Sequence, residues 1–194
     1  MPSASSPRAA ELPPVSGLAS VVIRLSGDAD LGGLGAVEKA ADAAFLDVGL
    51  ALIADADVPA PSSYVARHRA GRLLVAISPE QTLVGLVRLE VVDGHAHVEQ
   101  VSVHPDFSRR GVGAALLSAA ERWALEAGHR RMTLTTYRDV PWNGPYYYRL
   151  GWRAVPDETC GPELAAVRRQ EAAAGLDALP RQAMVKALTE PASR

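Results

Sequence analysis

Between Val112 and Ala127 the apolar residues fall at helical spacing: Val112, Leu116, Ala119, Trp123 and Ala127 are separated by four, three, four and four positions. That is one buried stripe on a helix, closed at its C-terminal end by Gly128. Before it the pattern is that of strands. Arg72–Ile77, Thr82–Val92 and His95–His104 are β-rich runs that stop at Ser78-Pro79-Glu80, Asp93-Gly94 and Pro105-Asp106. Asp-Gly between two such runs is the strongest hairpin signal in the chain, so the three runs predict an antiparallel meander.

The remaining pattern fills in both sides. Ser20–Leu25 is a short strand, and Leu31–Leu50 carries Leu34, Val37, Ala41, Ala44, Phe45 and Val48 near helical spacing. Pro59 and Pro61 break that region, and Ser62-Ser63 is placed to cap a second short helix through Arg69, ended by Gly71. Downstream, Arg131–Thr136 is a strand, Trp142–Leu150 an aromatic helix or turn, and Gly151–Val155 a strand. Pro162–Ala174 is a helix stopped by Gly175, and Arg181–Leu188 is a last strand. The order β-α-α-β-β-β-α-β-α-β-α-β predicts an α+β or mixed α/β fold, not a doubly wound parallel one.

With 194 residues, 48 % hydrophobic and 22 % charged, the chain has the size and composition of one domain with its own core. We expect that domain over residues 19–190, after a flexible tail rich in Pro, Ser and Ala over 1–18. A net charge of −2 gives no electrostatic case for nucleic acid, and no basic run suggests a membrane surface. No apolar run approaches a membrane span, and the first residues lack the apolar stretch of a secretory signal, so a cytoplasmic location is expected. The one cysteine, Cys160, excludes an intrachain disulfide, and its acidic Gly/Pro-flanked neighbourhood predicts an inert thiol. His95, His97 and His104 have neither a cysteine companion nor helical spacing, so no metal is expected.

The stretch Phe107–Leu117, FSRRGVGAALL, runs two arginines and two glycines into the start of the long helix. Unpaired N–H groups and the dipole at a helix N-terminus favour an anion, and glycine lets it approach the backbone. A phosphate or pyrophosphate is the natural guest. Neither a P-loop nor a dinucleotide fingerprint fits, since the Gly-Lys-Ser/Thr of one and the third glycine of the other are missing. No metal-binding carboxylate after a strand supports a nucleotide hydrolase.

Taken whole, VEQVSVHPDFSRRGVGAALLSAAERWALEAG followed by YYYRLGW resembles the GNAT superfamily of acetyl-CoA-dependent N-acetyltransferases. With the strands before it in order, the resemblance covers most of residues 20–188. It implies a central, largely antiparallel twisted sheet of about seven strands, splayed between strands four and five and flanked by helices. It also implies acetyl-CoA as co-substrate. On this reading Arg109, Arg110, Gly111, Val112, Gly113 and Ala114 hold the pyrophosphate, and the backbone of Val101 and Val103 pairs with the pantetheine arm. The loop departs from the family where Ser108 stands in place of Gln or Arg and Arg109 in place of a frequent glycine.

The reaction so implied is attack of a primary amine on a thioester, which calls for a base, an oxyanion donor and an acid for the leaving thiolate. Alternation along His95–His104 puts His97, Glu99, Val101 and Val103 on one face. By the resemblance His97 and Glu99 fall where the family carries its base, with Glu99 the preferred base, His97 a second base or positioning group, and the Val101 N–H an oxyanion donor. A carboxylate desolvated in a cleft floor rises towards neutral pH; the alternative is that Glu99 and His97 solvate an edge or pair with Arg88. By the resemblance Tyr147, four before Gly151-Trp152, is the acid, with Tyr146 and Tyr148 a slip of one away. Asn143 caps the short aromatic helix or bonds CoA. The resemblance further implies a small-molecule or peptide amine as acceptor, received by Leu31–Ala70 and Cys160–Leu188. Asp42, Asp47, Asp55 and Asp57 there suit a cation or form a solvated face. A non-catalytic acyl-CoA-binding module is the competing reading, and a homodimer is neither supported nor opposed.

Overall fold

The computed structural model describes residues 21–189, so the tail expected over 1–18 lies outside it. The hairpin signal is realised as β3 (Leu83–Val92) and β4 (His95–Val103). Asp93 and Gly94 between them have φ of 50° and 73°, the left-handed pair that a two-residue turn matching strand twist requires. β2 (Leu73–Ile77) completes the meander, and β1 (Val22–Leu25) pairs antiparallel with β2. β5 (Arg131–Tyr137), β6 (Arg153–Val155) and β7 (Arg181–Ala187) form the other half of a seven-stranded sheet of order β1-β2-β3-β4-β5-β7-β6. Every neighbouring pair is antiparallel except β4–β5. That is the mixed, flanked sheet expected.

The long helix, α4, runs Val112–Glu126. Its buried residues are Val112, Leu116, Leu117, Ala119, Ala120 and Ala124, whereas Trp123 is half-buried and Ala127 exposed. The stripe therefore drifts by one position towards its end, because a straight helix turns by 3.6 residues rather than the spacing read from the sequence. Its side chains meet Leu74, Ala76, Val87, Leu89, Ala96, Val98, Met132 and Leu134 in the main core.

The opposite sheet face is covered by two groups of elements. α1 (Leu31–Asp42) packs Leu34 and Val37, and the turn leading into α3 (Val65–Arg69) packs Tyr64, on Leu73, Val75, Ile77 and Leu86. The helix read from Leu31 to Leu50 ends earlier, at Asp42, and tightens into a 3-10 segment Ala43–Val48 that stops at Gly49 with φ 76°. α2 (Ala51–Ala54) is one turn whose Ala54 carbonyl, like that of Ala56, accepts from Lys39 Nζ at 2.7 Å. Ser62-Ser63 does not cap as expected: Ser63 Oγ donates to the Ala60 carbonyl at 2.7 Å, within a 3-10 turn Pro61–Tyr64.

α5 (Gly144–Arg149) follows β5, and α6 (Pro162–Ala173) joins β6 to β7. α6 begins without a cap of its own. The cap comes from the hairpin turn instead, where the Asp93 carboxylate accepts from Glu163 N–H at 2.9 Å and Leu164 N–H at 3.0 Å. The Asp93 N–H in turn donates to the Glu163 carboxylate. No helix among the described residues is long and apolar enough to cross a membrane.

Candidate active site

β4 and β5 pair only through Ala96–Met132, His97–Thr133 and Val98–Leu134, and then part. The His104 N–H donates to the Val84 carbonyl at 2.9 Å. In an antiparallel ladder alternate residues face alternate sides. Ser102 and Gln100 therefore direct their main chain to β3, and Val101 and Val103 direct theirs into the gap that β5 has left. Two residues of peptide N–H and C=O, those of Val101 and Val103, thus line an open wedge.

The wedge leads to the mouth of α4. Ala115 N–H is the first to bond within the helix, to Gly111 O at 2.9 Å, so the N–H groups of Val112, Gly113 and Ala114 lie before the ladder starts. Gly111 has φ 80° and an added Cβ on Gly113 would lie 3.3 Å from the Tyr146 hydroxyl. Both glycines hold this concave backbone open. Arg109 and Arg110 are exposed beside it, and the Arg110 guanidinium stacks on Phe107 at 5.6 Å. Arg109 has φ 58°, the left-handed conformation for which the family's glycine is suited; an L-residue there costs about 1–2 kcal/mol.

The base candidates are not arranged as alternation predicts. Arg88 of β3 lies opposite Gln100 and Leu89 opposite Val98, which leaves Glu99 as the extra residue of a β-bulge. The bulge flips the register. Val101 and Val103 pack with the α4 core, while His97, next to Glu90 and Thr133, belongs to the opposite face. His97 and Glu99 therefore do not share a face with the two valines.

Glu99 is exposed rather than desolvated. Arg67 of α3 grips both its carboxylate oxygens at 3.0 Å and also meets Glu90 at 3.0 Å. Arg88, considered as its partner, instead pairs with Glu38 of α1 at 3.5 Å and lies 5.7 Å over the Tyr64 ring. Glu38 is 3 % exposed, and burial raises its pKa against the pull of Arg88. Asp42 is raised to about 6 by burial, while Asp47, Asp55 and Asp57 are solvated. Arg67 and Glu90 meet beside Glu99, and Glu38 meets Arg88, each pair formed across separate elements, so Arg67, Glu90 and Glu38 carried no local signal of convergence.

His97 is 4 % exposed and shares a 2.8 Å hydrogen bond between Nδ1 and Thr133 Oγ1. Burial lowers its pKa to about 4, so it is neutral at pH 7. Tyr147 is 6 % exposed, its ring edge-on to Trp152 and Tyr146 at 5.9 and 5.8 Å. Burial raises its pKa, which keeps the hydroxyl protonated. Tyr146 faces the helix mouth, and the exposed Tyr148 donates to Gln182 Oε1 at 3.2 Å. Asn143 does not cap α5 with its side chain. Its Oδ1 is buried without a protein donor among the described residues, an acceptor suited to the amide N–H of a pantetheine arm. Among the described residues no three His, Cys, Asp or Glu are grouped to hold a metal ion.

Residues 40–152 match a family model described as acetyltransferase (GNAT) family. PaiA N-acetyltransferase from Thermoplasma acidophilum, solved with coenzyme A, is similar in fold, with TM-score 0.62 and 17 % identity over 87 % of this chain and 99 % of that one. N-acetylglutamate synthase from Neisseria gonorrhoeae, solved with coenzyme A and N-acetyl-glutamate, gives 0.64 and 14 % over 88 % of this chain and 35 % of that one. The ribosomal-protein-S18-alanine N-acetyltransferase from Escherichia coli gives 0.60 and 14 % over 89 % and 97 %.

Proposed function

The chain belongs to the acetyltransferase (GNAT) family, and on that premise we propose that it transfers the acetyl group of acetyl-CoA directly to a primary amine held beside it. The observation that carries this reading is the wedge: the main chain of Val101 and Val103, left without a β5 partner, adjoins the unladdered N–H groups of Val112, Gly113 and Ala114, where a Cβ on Gly113 would lie 3.8 Å from Val103 Cγ2. A thioester arm fits the first and a pyrophosphate the second.

The amine nitrogen attacks the thioester carbonyl carbon, the C–S bond breaks and an amide forms. Starting from the ammonium form, one proton goes to solvent and a second ends on the CoA sulfur. Glu99 is the proposed base. Because Arg67 occupies both of its oxygens in a two-point grip, it takes the proton through a water rather than by direct contact. The Val101 N–H donates to the oxyanion. Tyr147, held protonated by burial, donates a hydrogen bond to the departing thiolate; full transfer would be uphill, since a thiol is the stronger acid. His97, with a pKa of about 4, is too weak a base near neutrality and instead fixes β4 against β5 beside the point where they part. Arg109 and Arg110 supply charge to the pyrophosphate, and Asn143 Oδ1 accepts from the pantetheine arm.

Calorimetric titration of acetyl-CoA, CoA and ATP into the purified chain tests this directly. We expect the two CoA species to bind and ATP not to. Gly111→Glu puts a side chain and a negative charge in the cradle, at a positive φ, and should weaken CoA at least about 100-fold, or roughly 3 kcal/mol. Unchanged affinity in that variant would remove the cradle.

A further inference from the structure

We propose that the acceptor is a small primary amine carrying an aromatic, benzene-sized group, and that a pocket at the end of β5 receives that group. This rests on the acetyl-transfer reading and names its substrate class.

The pocket is a cavity of about 160 Å³ lined by Val48, Tyr137, Asp139, Val140, Pro141, Leu179 and Pro180. An apolar protein cavity of about 150 Å³ is large enough to hold benzene. The one charged group in the lining, Asp139, is already held by Arg138 at 2.9–3.1 Å. What remains is apolar. Phe45 adjoins the pocket, 5.8 Å from the Tyr137 ring and 5.9 Å from Trp142, which is 40 % exposed. Three aromatic rings at these separations present the edges and faces that a further ring can join.

Position carries the rest. His97 pairs with Thr133 and Val98 with Leu134 in parallel register. Extending that register brings Tyr137 level with Val101, within the one residue that the Glu99 bulge adds. Tyr137 alternates with Thr133 and Thr135 and so lies on the face of His97, the side from which the amine must approach if Glu99 is to serve it.

Recognition of a bare cation fits poorly. The Arg181 guanidinium sits 4.5 Å over the Tyr137 ring and takes the face that an ammonium would use. Asp47, Asp55 and Asp57 are exposed, and the half-buried Asp42 already has Lys39 and Arg88 near it.

The test measures thiol release from acetyl-CoA by the full chain with 2-phenylethylamine, benzylamine, ethylamine, putrescine and a peptide with an N-terminal phenylalanine. The aromatic amines should exceed ethylamine in kcat/KM by at least about tenfold, the scale on which an apolar pocket discriminates. Leu179→Trp fills the pocket and should bring the ratio of phenylethylamine to ethylamine close to one, with acetyl-CoA affinity retained as the sign of a folded site. Leu179→Ala enlarges it and should shift the preference to naphthylethylamine. Equal kcat/KM for all amines, or preference for putrescine or for the peptide, would overturn the proposal while leaving acetyl transfer intact. Acetyl-CoA binding with no thiol release on any amine would overturn the transfer reading, and this proposal with it.

Discussion

His97 shows how one side chain sets a pH dependence. Its folded pKa is about 4 against an ordinary 6.5, so between those values the unfolded chain binds a proton that the native chain refuses. Stability therefore rises with pH across that window and is lost as pH falls from 6.5 to 4, by about 3 kcal/mol. Asp42 acts oppositely: its raised value, about 6, makes stability fall as pH rises from its ordinary carboxylate range to 6. Urea midpoints of the wild type and His97→Gln, compared at each pH, cancel the Asp42 contribution. The wild type should approach or fall below the variant towards pH 4 and exceed it most above pH 6.5; parallel curves would show that His97 is solvated. The sequence pointed to His97 and Glu99 by strand alternation, and the structure puts both on the face opposite Val101 and Val103. The sequence did not reveal that Glu99 is a bulge residue, because a bulge changes pairing and leaves no mark on local composition. The desolvated carboxylate argued from the sequence is instead a carboxylate gripped by Arg67, thirty-two positions away.

Elements were legible wherever local pattern decided them. The hairpin, the long helix and the helix from Pro162 are where periodicity and punctuation put them. The region after Leu31 was not, since the helix ends at Asp42 and the segment after it tightens where Phe45 and Val48 pack on Leu50, Tyr137 and Val140, contacts that helix propensity does not signal. The docking of α6 was equally hidden, for its cap is a residue seventy positions upstream. That cap yields a prediction at this scale. Asp93→Ala removes two acceptors from the first turn of α6 and should cost about 1–2 kcal/mol. Hydrogen exchange should speed up over Glu163–Arg168, with acetyl-CoA affinity unchanged because the wedge lies at the other end of β4. Unchanged exchange in α6 would mean that packing of Leu164 alone holds it.

At the scale of the molecule, the sheet is two units joined at three residue pairs. β1–β4 with α4 form one, and β5–β7 with α5 and α6 the other; the wedge lies between them. A ligand whose arm bonds Val101 and Val103 on one side and Asn143 on the other bridges both units, so its binding stabilises the whole fold and not one lobe. Ligand at 100 times its Kd adds about 2.7 kcal/mol to the native state, which for a chain of this size raises Tm by roughly 5–10 °C. Acetyl-CoA should therefore raise a single cooperative transition by that amount, while ATP at the same concentration should not. Exchange protection should appear together at Val101, Val103 and the first turn of α4. A shift in Tm with protection at the helix mouth alone would mean that the anion is held but the arm does not enter between β4 and β5, and direct transfer in a ternary complex would lose its geometric basis.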